Sequence, residues 1–207
     1  MRNRFSAPRA ALAVAALASL AACSSAEQVG KPIVPRVATA SAAATLVDPQ
    51  GKPSGRATLT QVDGGVEIVV NVEDLTPGEH GVHVHAVGRC EPAPDASTGQ
   101  TVAFGAAGPH FDPGASQHHR GPGQPPAQGH AGDMPNIPVA ADRTGTLRYV
   151  HPNVNLGTGT QSVLGKAIVV HAQRDDYTTD PTGNSGGRVL CGVIEQARPA
   201  DAKPNQG

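Results

Sequence analysis

The feature that most limits what this chain can fold into is its punctuation: the apolar runs are short, and Gly, Pro or Asp interrupts them every few residues. The stretch GVEIVVNV at 65–72 places an apolar residue at every second position, which is the period of a half-buried strand. Similar runs occupy 43–47, 56–61, 80–87, 146–150, 166–171 and 188–194. Turn signals separate several of them: DPQG at 48–51, DGG at 63–65 and TPG at 76–78. Beyond the leader, no stretch sustains an apolar period of 3.6 residues, and 25 Gly and 19 Pro among 207 residues argue against a helical bundle. Many short strands at regular spacing predict an all-β protein, an antiparallel sandwich or barrel.

The first residues read as an address. Arg2, Arg4 and Arg9 precede an Ala/Leu/Val run over 10–22, which is too short to span a bilayer and is built like the core of a signal peptide. It ends in LAAC at 20–23, which resembles the bacterial lipoprotein cleavage box. That resemblance implies a signal peptide over 1–22, lipidation of Cys23, and a flexible tether over 23–38 that holds the domain at a membrane. The alternative is a plain secretory signal with an incidental cysteine. On either reading the chain is exported, facing the periplasm or the cell exterior. Cys90 and Cys191 then lie in an oxidising compartment, where one disulfide is the economical arrangement and two free thiols the alternative.

Charge narrows the partners. A formal net charge of -1 and the absence of Trp leave neither a basic field for a nucleic-acid backbone nor a platform for stacking bases, so no nucleic-acid partner is expected. The residues are compatible with a monomer or a homodimer.

Residues 89–138 have a different texture, rich in Gly, Pro and His and poor in strand pattern. A loop of that length inside a folded domain is usually functional or disordered, and four of the nine His lie in it. His83 and His85 alternate along a strand-like run, so both imidazoles can face one ion, and His171 ends another such run. The loop adds His110, the His118/His119 pair, His130 and Asp133. Counting one of the pair, these make seven candidate ligands, one more than a single first-row ion usually takes. Two adjacent ions are therefore expected. Imidazoles with one carboxylate suit zinc, all-imidazole surroundings suit copper, and one histidine could bridge the two through its two ring nitrogens.

Five stretches now carry a family likeness: LTPGEHGVHVH at 75–85, GPHFDP at 108–113, HAGDMPN at 130–136, VVH at 169–171 and GNSGGRVLCGVI at 183–194. In this order and at these separations they resemble the exported bacterial copper/zinc superoxide dismutases, from about residue 40 to residue 196. The resemblance implies an immunoglobulin-like Greek-key β-sandwich or barrel with two long functional loops, a domain over 39–196 and a disordered tail over 197–207. It implies copper on His83, His85, His110 and His171, with His110 bridging to zinc on His118, His130 and Asp133. His118 is chosen because the family's next zinc ligand falls eight residues after the bridge, and His119 is the alternative if Pro122 is set against the family's following proline. Asp175 matches the carboxylate that links a copper histidine to a zinc histidine, and Arg188 matches the arginine that draws the anion to copper. Cys90 and Cys191 match the family's disulfide.

The implied activity is dismutation of superoxide to dioxygen and hydrogen peroxide by alternate reduction and reoxidation of copper, protecting the cell envelope. The resemblance makes Arg188 and His110 the expected catalytic pair. His80 is expected to be structural and His151 to lie on the surface. Between residues 172 and 187 the only cation is Arg174, while Asp175, Asp176 and Asp180 would repel an anion unless neutralised, so attraction rests heavily on Arg188. A metal-storage protein could dispense with Arg188 and Asp175. A mononuclear zinc hydrolase would need a spare Glu beside the histidines, and none accompanies them.

Overall fold

A computed structural model of the chain describes residues 40–95 and 98–197. The expected signal segment over 1–22, Cys23, the tether over 23–38 and the tail after residue 197 lie outside the described residues.

Alternation decides the architecture. Strand β3 (Gly65–Val72) buries Val66, Ile68, Val70 and Val72 and turns Glu67 and Asn71 outward. Its neighbours do the same, with Ala42, Ala44 and Leu46 buried from β1 (Ser41–Val47) and Ala57 and Leu59 from β2 (Pro53–Val62). Asp48 shapes the first turn, its carboxylate accepting the N–H groups of Gln50 and Lys52, each at 2.9 Å. Asp63 and Gly64 close the tight β2–β3 hairpin, with Gly64 at φ 86°.

The remaining strands are β4 (Gly78–His80), β5 (Val82–His85), β6 (Ala93–Pro94), β7 (Thr101–Val102), β8 (Ile137–Val139), β9 (Gly145–His151), β10 (Ala167–His171), β11 (Arg188–Val193) and β12 (Glu195–Gln196). The main sheet runs β4-β8-β9-β3-β2-β1-β11-β10-β5, with β12 beside β1 and every pair antiparallel. Strands β9 and β11 pair with β3 and β1, which lie far from them in sequence, giving Greek-key connections. The sheet's two edges, β4 and β5, are consecutive in the chain and separated only by Gly81, so the sheet returns on itself as a nearly closed barrel. The single run expected over 80–87 is therefore two strands. Gly81 makes the break possible: its N–H donates to Gln173, its carbonyl accepts from His171, and a Cβ there would press on the Ser185 side chain at 2.9 Å.

The barrel interior is aliphatic, with Leu46, Leu59, Ile68, Met134, Ile137, Ile168, Leu190 and Ile194 fully buried. Strands β5 and β10 are buried on both faces. Val82, Val84, Ile168 and Val170 point into the barrel, while Ala167, Val169, His83, His85 and His171 face the other way, where the long loop covers them. A second apolar cluster of Phe104, Ala107, Ala167, Val169 and Cys191 seals the loop onto that outer face.

His151 departs from expectation. It continues the inward series of β9, opposite Val66, and its ring is fully buried. Its Nδ1 accepts the N–H of Asn153 at 3.4 Å, and burial pushes its pKa down to about 4. His80 is structural as expected, its ring nitrogens facing the carbonyls of His171 at 2.7 Å and Thr76 at 2.8 Å.

Candidate metal centre

Strand parity assembles the first half of the site. His83 and His85 lie opposite Val169 and Ala167, so they share the outer face with His171. The Nε2 atoms of His85 and His171 are 3.4 Å apart, and the rings of His83 and His171 are 4.8 Å apart. The long loop then adds itself to the open edge of β5. Val84 donates its N–H to Gly132 and accepts from Phe111, and Ala86 donates to Pro109, at 2.8 to 2.9 Å. These bonds set His110 beside His85 and Asp133 beside His83. Only glycine fits at 132, because a Cβ there would fall 2.2 Å from the Val84 carbonyl.

Around Asp133 the second half forms. His110 Nδ1 lies 3.0 Å from Asp133 Oδ1, His119 Nδ1 3.0 Å from Oδ2, and His130 Nδ1 3.5 Å from Oδ1, all in buried positions. The expectation for His118 is corrected here. Its ring is exposed and contacts Asp180 at 3.2 Å, while the fully buried His119 takes the place beside Asp133. Asp180 explains the choice: one carboxylate oxygen accepts the His119 N–H at 2.5 Å and the other holds the His118 ring outside. Gln117 at φ 59° and Gly121 at φ 75° give the loop a path that strand parity does not describe.

Asp175 joins the two halves. Its Oδ2 accepts from His83 Nε2 at 2.6 Å and its Oδ1 from His119 Nε2 at 2.8 Å, with no exposure on any of the three side chains. Asn136 fixes Asp175 by accepting its N–H at 2.8 Å and donating to its carbonyl at 3.0 Å. Asn136 lies in the quoted 130–136 stretch, but nothing in that stretch indicates which backbone it clamps.

The donor set suits two metals. Five buried side-chain atoms at the centre have no hydrogen-bond partner among the described residues: His83 Nδ1, His110 Nε2, His119 Nδ1, His130 Nδ1 and Asp133 Oδ2. Buried polar atoms in native proteins are nearly always satisfied, so such a group points to a cation. His83, His85, His110 and His171 each offer a nitrogen within 4.8 Å of one another, as do ligand atoms of His83, His110, His119 and Asp133. Asp175 already holds His83 Nε2, which leaves its Nδ1 for the first set. His85 and His171 have their Nδ1 atoms on the carbonyls of Gly108 and Gly186, at 2.8 and 3.2 Å, freeing Nε2. The result is an all-imidazole set of His83, His85, His110 and His171 beside a set of His110, His119, His130 and Asp133. His110 belongs to both, with Nε2 toward one and Nδ1 toward the other.

Electrostatics fit that use. Burial and the neighbouring imidazoles hold His83 and His85 well below the usual histidine range and lower His171 to about 3, so these rings stay neutral as ligands must. Burial also lowers His110. His119 behaves differently: burial opposes its charge, but the carboxylates of Asp133 and Asp175 on either side of its ring raise it to about 9. Burial opposes the charge of Asp133 as well, yet the His110 hydrogen bond and the facing rings of His119 and His130 hold its carboxyl far below the ordinary range.

Arg188 completes the site. It faces His171 across the β10–β11 ladder, and its guanidinium donates to the carbonyls of Phe104 at 2.7 Å and Gly108 at 2.9 Å. It lines an open pocket with His110 and His130. The Cys90–Cys191 disulfide, spanning 101 residues, ties the loop to β11 three residues beyond Arg188. The acids between 172 and 187 are engaged: Asp175 by the two histidines, Asp176 by Thr178, Thr179 and Asn184, and Asp180 by His119 and Arg120. Sequence reasoning passed over Asp95, whose place beside Arg188 depends on a hairpin too short to leave a pattern.

Comparison with known proteins agrees with this geometry. The family model for copper/zinc superoxide dismutase matches residues 53–194. The Cu-Zn superoxide dismutase of Deinococcus radiodurans is 45% identical over 177 residues, covering 86% of this chain and 90% of that protein. The Brucella abortus relative is 37% identical over 147 residues, covering 70% and 80%. A solved Cu/Zn superoxide dismutase from Brucella abortus superposes with a TM-score of 0.63 at 34% identity, covering 75% of this chain and 99% of that one. A solved SOD-like protein from Bacillus subtilis gives 0.59 at 34% identity, covering 72% and 95%. By sequence match, barrel and donor set together, the chain belongs to the copper/zinc superoxide dismutase family.

Proposed function

We propose that the chain converts two superoxide anions and two protons into dioxygen and hydrogen peroxide, with copper held by His83, His85, His110 and His171 and zinc by His110, His119, His130 and Asp133. The observation that carries this reading is His110, one buried ring shared by two groups of potential ligands, with its Nδ1 on Asp133 and its Nε2 without a hydrogen-bond partner among the described residues. Copper bound there supplies one-electron chemistry, and zinc a fixed charge without redox change.

The chain's own residues do the rest. Arg188 binds and orients the anion through guanidinium N–H groups that its two backbone carbonyls leave over. His110 Nε2 is the atom at which a proton can be held between half-reactions, because Nδ1 is committed to the Asp133 side. Asp175 keeps the rings of His83 and His119 in one tautomer and one orientation. A storage protein has no need of an arginine lining the pocket, and that favours turnover.

The decisive experiment measures superoxide consumption by the reconstituted protein with and without cyanide. Fast, copper-dependent, cyanide-sensitive removal supports the reading, whereas tight binding of both metals without turnover overturns it.

Export and lipid anchoring at Cys23 complete the proposal, placing the activity at the cell envelope, which it protects. The leader supports this, and so does a disulfide, which persists in an oxidising compartment. Labelled palmitate should enter the parent chain and not Cys23→Ser; equal labelling overturns the anchor.

A further inference from the structure

Arg188 does not face its pocket alone. Asp95 lines the same pocket, with its Oδ2 3.6 Å from the guanidinium Nη2. The two side chains are only 23% and 10% exposed, so solvent screens this pair less than a surface pair. The distance exceeds that of a hydrogen bond, so Asp95 opposes the charge of Arg188 without occupying its N–H groups.

The backbone that carries Asp95 is fixed in place, and the other carboxylate oxygen of Asp95 accepts the Thr98 N–H at 3.3 Å. This residue follows the short strand β6, whose partner β7 returns through Gln100, where the Asp95 N–H donates to a carbonyl at 2.9 Å. Strand β6 packs against the turn of 3₁₀ helix at Gly105–Ala107 so closely that a Cβ on Gly105 would lie 2.0 Å from the Ala93 carbonyl. That turn also presents the Phe104 and Gly108 carbonyls to Arg188. One unit, closed at its base by the Cys90–Cys191 disulfide, thus sets the cation and its opposing carboxylate at the mouth of the site.

We propose that Asp95 is a specificity-determining residue that limits how tightly Arg188 holds small monovalent anions. This rests on the proposed function of the site. An unopposed guanidinium in a partly dry pocket collects any small anion, chloride included. The negative charge of a carboxylate beside it weakens every such anion by a common factor, so that those held by charge alone are lost while those that would also bond a metal on the neighbouring histidines stay bound, less tightly than without it.

Azide titration of the copper- and zinc-loaded protein, followed by its absorbance change, tests this. Asp95→Asn should bind azide about three- to tenfold more tightly than the parent at low ionic strength, with the gap closing as salt is added. Asp95→Ser should behave like Asp95→Asn, and Asp95→Glu like the parent. Equal azide affinity in parent and Asp95→Asn, both fully metallated, overturns the inference and leaves the dismutase reading intact. Loss of metal from both uncharged variants also overturns it, by showing the carboxylate to be structural. A metallated parent that neither binds azide nor consumes superoxide overturns the function and this inference together.

Discussion

Exchange of His119 and of His118 for alanine, one at a time, puts the assignment of the zinc ligand to its hardest test. Four-ligand structural zinc in small peptide sites is worth about 10–16 kcal/mol, so one ligand in four carries about 3 kcal/mol, or more than a hundredfold in Kd. The structure adds to this for His119. Its Nε2 hydrogen bond to Asp175 Oδ1 at 2.8 Å disappears, and Asp133 Oδ2 loses a neighbour at 3.0 Å, in positions with no solvent to replace either. Each buried group left short costs about 1–3 kcal/mol. His118 offers a contrast, since its contact with Asp180 has 55% and 41% of the two side chains exposed. Such a pair is worth about 0–1 kcal/mol. Zinc competition against a chromophoric chelator, on copper-free protein with the disulfide intact, should show Kd weakened at least about a hundredfold for His119→Ala and changed less than about threefold for His118→Ala. Equal losses, or the reverse order, would refute the reasoning from burial and return the ligand to the position that spacing along the chain suggests.

Three further outcomes are expected. Replacing Cys90 and Cys191 together by serine reopens a loop spanning 101 residues and should cost about 4–5 kcal/mol in guanidinium unfolding; a loss below about 1 kcal/mol would show that metals and packing alone hold the loop. Arg188→Glu should slow turnover at low ionic strength and make the rate rise with added salt, because the pocket then repels its substrate; an unchanged rate contradicts the role given to Arg188. His151→Leu should flatten the acid limb of the stability curve: below pH 6.5 the unfolded chain protonates this ring while the folded chain resists until about pH 4, so the parent loses about 3 kcal/mol through that window. Denaturant titrations at pH 7 and pH 4.5 that show the same drop in both proteins would exclude His151 as the source.

Several of these outcomes turn on places where the sequence was silent. The alternation of β3 was plain because Val66, Ile68, Val70 and Val72 obey a local rule, and His83, His85 and His171 were found in the same way, by parity on β5 and β10. Parity also held the answer for His151: the inward series Leu147, Tyr149, His151 runs one residue past the run read from sequence at 146–150. The choice between His118 and His119 had no such rule behind it. There the direction of the ring depends on a positive φ at Gln117 and on Asp180, 61 residues away from His119, and neither leaves a periodic trace. Short pairings such as β4 with β8 and β6 with β7 were silent for the same reason, since two or three residues are too few for a pattern.

The bonds between the long loop and β5 have a consequence beyond the metals. Val84, Ala86 and Phe111 share backbone hydrogen bonds along what is otherwise an unpaired strand edge. A strand edge with free N–H and C=O groups is a template for a second chain, and natural sheets guard against it. In this protein the guard is the segment that carries His110 and Asp133, so whatever loosens those ligands also uncovers a surface on which chains can aggregate. Metal retention and colloidal stability thus depend on the same few backbone bonds.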